Sequence, residues 1–136
     1  REKLRLDRED ARARAELTRA SKAERIAQLQ TLCVEFAQIA TAMGTAAERG
    51  LTDPEAASLN GAVAKFAIQT PESLALAATM WGRVLVAFSA TERDNRGYGS
   101  DVVVALGNTH RNFLIEARRV LAVLERELEE MTEASQ

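Results

Sequence analysis

Cysteine, histidine, proline and aromatic residues are all scarce in this 136-residue chain. The lone cysteine, Cys33, excludes an intrachain disulfide and therefore a disulfide scaffold. It sits among Leu32, Val34 and Phe36 and reads as a buried, inert thiol, compatible with a reducing compartment. The lone histidine, His110, excludes a site needing several imidazoles. The residue three before it is Gly107, not the Glu of a carboxylate-bridged metal pair. Two prolines, seven glycines and an aromatic share of 4% leave little with which to build turn-rich sheets, and no stretch alternates with period two. No apolar run of membrane-spanning length and no signal peptide stands out. No strand–turn–helix setting exposes a serine nucleophile. Gly97-Tyr98-Gly99 is too short to cradle a phosphate and no Walker-type lysine follows it. The expectation is a protein without metal, cofactor or catalytic apparatus.

What is present is helical periodicity. From Val102 to Met131, Val103, Leu106, His110, Phe113, Ala117, Val120, Leu124 and Met131 recur at spacings of three and four, flanked by Leu114, Leu121 and Leu128. A stripe that wide needs several neighbours. The chain offers three further helices. The first runs from the N-terminus to about Gly44 or a turn beyond. Its core stripe comprises Ile26, Leu29, Leu32 or Cys33, Phe36, Ile39 or Ala40, and Met43. The second begins near Thr52-Asp53-Pro54-Glu55, where Thr52 and Glu55 fit a capping box and Asp53-Pro54 an alternative cap. It buries Leu59, Val63 and Phe66 before ending near Gln69. The third starts after Thr70-Pro71 and carries Leu74, Ala77 or Ala78, Trp81, Val84 or Leu85, and Phe88 to about Arg93. The polar stretch Thr91–Ser100 is the one substantial loop. These elements predict an all-α, four-helix antiparallel bundle with an elongated, charged N-terminal helix. Residues 1–25 form the charged extension and possible stalk, 26–133 the bundle, and 134–136 a frayed tail.

Net charge is only −2, but its distribution is uneven. Residues 1–25 hold nine basic and six acidic side chains, a net of +3; residues 125–133 hold five Glu and Arg126, a net of −4. In an antiparallel bundle the two poles meet, with Arg12, Arg14 and Arg19 offsetting Glu127, Glu129 and Glu130, which crowd a helix C-terminus that disfavours negative charge. A thin heptad-spaced seam of Leu6, Ala13, Leu17 and Ala20 leaves two readings of the extension: a solvated helix, or a stalk with a surface for self-association or for another helical protein. The six interspersed acids argue against nucleic acid as the partner. Trp81, beside the small Gly82, and His110 mark a second candidate: a pocket between helices, as in a regulatory or immunity-type module that binds a small ligand. Arg111, Arg118 and Arg119 decorate the fourth helix off its stripe.

The charged opening, the Gln69-Thr70-Pro71-Glu72 break and the Arg111-x-Phe113-x-x-x-Ala117-Arg118-Arg119 segment together resemble small membrane proteins of high-GC Gram-positive bacteria and their phages. Those proteins place a cytosolic helical domain after an N-terminal membrane span. The resemblance implies a span upstream of Arg1, with Arg1, Lys3 and Arg5 as its cytoplasmic flank, and a location on the cytoplasmic face of a membrane. A soluble cytoplasmic protein is the alternative. It implies no chemical activity.

Overall fold

The structure is a computed structural model describing residues 2–93 and 100–134. Among the described residues there are four helices and no strand: α1 (Glu2–Ala47), α2 (Asp53–Gln69), α3 (Glu72–Arg93) and α4 (Ser100–Ala134). The fold is all-α. Gly97-Tyr98-Gly99 and the last two residues lie outside the described residues, whereas Ala134, expected in the tail, closes α4.

Local chemistry accounts for the helix ends. Gly44 does not interrupt α1; the stop comes at Gly50, whose φ of 88° lies in the left-handed region that a side chain disfavours. Thr52 caps α2 with extended angles. Its hydroxyl accepts from the Glu55 amide at 3.3 Å, and the Glu55 carboxylate accepts from the Thr52 amide at 3.0 Å, completing the capping box. Arg49 reaches the same carboxylate at 2.8 and 3.1 Å, tying the end of α1 to the start of α2. At the other end of α2, Thr70 turns extended ahead of Pro71, and α3 restarts at once.

The helices divide into two compact units, Thr31–Val120 and the combination of Arg1–Gln30 with Leu121–Gln136. The first is a four-helix bundle formed by the later part of α1, all of α2 and α3, and the earlier part of α4. Its core holds Cys33, Phe36 and Ala40 from α1, Leu59 and Phe66 from α2, Leu74, Ala78, Trp81, Leu85 and Phe88 from α3, and Phe113, Ala117 and Val120 from α4. Ser89 is its buried polar side chain, 3% exposed, with its hydroxyl accepting from the buried Leu51 amide in the α1–α2 turn. The α4 stripe is narrower than its periodicity predicts: Val103 is 46% exposed, Leu114 is 36% exposed and His110 is exposed.

The second unit is a pair of helices, residues 2–30 of α1 and 121–134 of α4. The units divide α1 after Gln30 and α4 after Val120, where the expectation placed one boundary, after residue 25. Helices α2 and α3 have 17 and 22 residues against 46 in α1 and 35 in α4. At 1.5 Å per residue the short helices cannot line the full length of the long ones.

Candidate functional site

The aromatic scarcity is offset by concentration. Phe36 lies at the centre of the four-helix unit, stacked on Phe66 at 4.8 Å between centroids, with Phe113 at 5.3 Å and Trp81 edge-on at 5.8 Å. Such offset and edge-to-face pairs each add about 0.5–1.5 kcal/mol beyond burial. His110 stands one turn before Phe113 on α4, which brings its ring over Trp81 on α3. The two are stacked at 4.6 Å with planes 11° apart. A ligand between these two rings would have to part them. The small residue next to Trp81 leaves no slack either, because a Cβ on Gly82 would meet Val63 Cγ2 at 2.8 Å. The space foreseen near Trp81 and His110 is used for close helix approach and for ring stacking. Cys33 is 8% exposed, and burial raises its thiol pKa, which lowers its reactivity.

A second cluster spans α3 and α4. Arg119 pairs with Glu116 one turn earlier, its Nε at 3.0 Å from Oε1, and also reaches the Ser73 hydroxyl at 3.5 Å. These contacts hold the Glu116 carboxyl below its ordinary pKa, the Arg119 hydrogen bond contributing most. This is a helix-to-helix clasp beside an open groove of about 380 Å³ lined by Leu76, Met80, Thr109 and Asn112. Among the described residues no three His, Cys, Asp or Glu side chains converge as metal ligands.

The helical pair is different in kind. Lys22 donates to Glu127 across it, with side chains 24% and 46% exposed. Residues 11–19 of α1 share a groove with Met131 and Ala134, and residues 17–25 share another with Leu124 and Met131, so the two helices run antiparallel. The grooves measure about 470 and 520 Å³, and both include Thr18 and Met131. Glu127 meets Lys22, a cation outside the set of Arg12, Arg14 and Arg19 expected there. Arg12 and Arg19 line the first groove, Arg14 donates to the Asp10 carbonyl at 3.4 Å, and Glu129 and Glu130 are exposed. The missed signal lies in the core stripe: stepping back from Leu29 and Ile26 by helical spacing lands on Lys22 and Arg19. Leu6, Ala13, Leu17 and Ala20 are all exposed, Leu6 by 54% and Leu17 by 70%, and of the four only Leu17 borders one of these two grooves.

Among the described residues one helical stretch, Glu72–Thr91, is long and apolar enough to cross a membrane, contrary to the expectation of none. Its apolarity has a local explanation, since Leu74, Ala78, Trp81, Leu85 and Phe88 of this stretch are buried in the four-helix unit. Comparison with protein-family models, curated proteins and solved structures finds no match for this chain.

Proposed function

We propose that the chain is a non-enzymatic helical protein–protein interaction domain whose binding surface is the α1–α4 helical pair. We also propose that it is the cytosolic part of a membrane-anchored protein. One observation carries the first reading. From Glu2 to Arg25 and from Leu121 to Ala134 no side chain is buried, and Leu4, Leu6 and Leu17 of α1 stand 64%, 54% and 70% exposed. Full burial of a leucine is worth about 1.5–3 kcal/mol. A pair of helices cannot enclose its own apolar faces, and a third layer supplied by another protein would cover them.

The test is the double substitution Leu6→Glu, Leu17→Glu, followed by chemical denaturation of the whole chain. If these leucines serve a partner and not the fold, stability changes by no more than about 0.5 kcal/mol, the range for exposed positions. A loss of several times that size would assign them to the fold and end the interaction reading. The membrane part rests on the basic flank Arg1, Lys3 and Arg5 and on the resemblance noted above. Its test is the genomic reading frame ahead of Arg1, where an apolar run of about 20 residues is expected.

A further inference from the structure

We infer that the outward face of α3 pairs with the same face of a second copy of this chain, the two helices running antiparallel. This goes beyond the interaction reading above, because it uses a different surface. The core of the four-helix unit takes Leu74, Ala78, Trp81, Leu85 and Phe88, and leaves Glu72, Leu76, Met80 and Arg83 of α3 exposed. Leu76 is 60% and Met80 44% exposed. At about 100° per residue these four side chains lie within an arc of about 80°. Among the described residues neither Glu72 nor Arg83 forms an ion pair within the chain.

The order of chemistry along this face selects the occupant. It runs acid, leucine, methionine, base; reversed, it runs base, methionine, leucine, acid. With Glu72 of one copy level with Arg83 of the other, Leu76 comes level with Met80 of the second copy to within one residue. An antiparallel copy therefore opposes unlike charges at both ends and apolar side chains between them. A parallel copy sets Glu72 beside Glu72 and Arg83 beside Arg83, which like-charge repulsion disfavours. The lateral arrangement agrees. Across the arc the order is Glu72, Arg83, Leu76, Met80, so the charges share one edge and the apolar side chains the other. A twofold axis normal to the plane of the two helices keeps each edge on its own side. The open groove between α3 and α4, about 380 Å³ and bordered by Leu76, Met80, Thr109 and Asn112, runs along the apolar edge. It gives the flexible Met80 of the second copy a seat.

Lipid is the poorer occupant. Arg83 falls in the middle of the apolar Glu72–Thr91 stretch, and a bilayer core covering this face would have to take up that charge. The contact from Glu72 to Arg83 is about 17 Å long at 1.5 Å per residue and one helix wide. It covers on the order of 300 Å² per copy, less than half the roughly 800 Å² of a standard interface. Pairing is consequently weak, with dissociation above about 10 μM, and sensitive to the charges at its ends.

The experiment is sedimentation equilibrium of the whole chain from about 10 μM to about 1 mM. It includes Arg83→Glu, Glu72→Arg, an equimolar mixture of these two variants, and Met80→Glu at the apolar centre. Leu17→Glu, on α1 at a position 70% exposed, is the control. The expected result is a monomer–dimer equilibrium weakened at least about tenfold by Arg83→Glu and by Glu72→Arg, since each sets two like-charge pairs into the dimer. Met80→Glu weakens it as much without touching either charge. In the mixture opposite charges meet again at both ends, so the dimer returns. Leu17→Glu leaves it unchanged. A parent chain that stays monomeric over that range overturns the inference, and leaves the α1–α4 reading to its own denaturation test. A dimer indifferent to both charge reversals, or a mixture that stays monomeric, overturns it equally. A dimer lost in Leu17→Glu and kept in Met80→Glu also overturns it, and moves self-association to the α1–α4 pair.

Discussion

The imidazole of His110 lies flat on the indole of Trp81, 4.6 Å between centroids and 11° from parallel, so an exposed side chain covers one that is 2% exposed. Trp81 is the sole tryptophan, which makes this contact directly readable by fluorescence. His110→Ala is expected to shift the emission to longer wavelength as water reaches the ring, and to lower stability by about 1 kcal/mol, the worth of one aromatic pair. An unshifted spectrum would mean that the imidazole shields nothing.

Two glycines in helices respond in opposite directions. At Gly82 a Cβ would approach the Val63 Cγ2 methyl to 2.8 Å, so Gly82→Ala must displace the stiff Val63 side chain or its helix and is expected to cost about 1–3 kcal/mol. At Gly61 nothing lies within 4 Å, so Gly61→Ala only removes helix-interior glycine entropy and gains about 0.5–1 kcal/mol. Urea melts of the two variants, run side by side, should move to opposite sides of the parent chain.

Ser89 is the acceptor for the buried Leu51 amide. Ser89→Ala leaves that N–H without a partner away from water, which costs about 1–3 kcal/mol. Amide hydrogen exchange gives the sharper readout: Leu51 should lose protection more than its neighbours in the capping box. Uniform protection loss across the chain would instead indicate global destabilisation unrelated to this bond.

Acid stability carries the mark of Glu55. Its carboxyl is lowered from 4.5 to about 2, chiefly by the Arg49 hydrogen bond and then by the Thr52 amide and hydroxyl. A depressed folded-state pKa means that the unfolded chain binds the proton first. The stabilisation is therefore complete above the ordinary value of 4.5 and fades as pH falls toward 2. Glu116, lowered by Arg119 and Ser73, acts in the same direction. Melting temperature followed through that window should fall less steeply for Glu55→Gln than for the parent chain. Parallel slopes would show that the cluster at the α1–α2 turn does not bind protons differently in the two states.

Much of this was legible residue by residue. The Thr52–Glu55 capping box, the restart after Pro71 and the buried Leu59, Phe66, Leu74, Trp81 and Phe113 all follow from spacing and turn chemistry. Where the stripe left adjacent choices, the structure buries Cys33, Ala40, Ala78 and Leu85, while Ile39 remains 39% exposed. Helical periodicity defines a face to within about one residue, but the line along which a neighbouring helix crosses that face is set by both helices together. The same limit explains Lys22: the seam through Leu6 and Leu17 has good heptad spacing, yet the face that meets α4 is the one continuing from Ile26 and Leu29.

The amino-acid order alone determined the four helices of the described residues, roughly where each begins and ends, and which broad face of each is apolar. Those outcomes depend on hydrogen bonds and side chains within a turn or two of one another. Only the tertiary structure decided that His110 covers Trp81, that Val63 fills the room beside Gly82, that Ser89 takes the Leu51 amide, and that Lys22 answers Glu127. Each of these joins residues more than fifteen positions apart, and their meeting depends on helix angles and registers that emerge only when the whole set of apolar faces is packed at once.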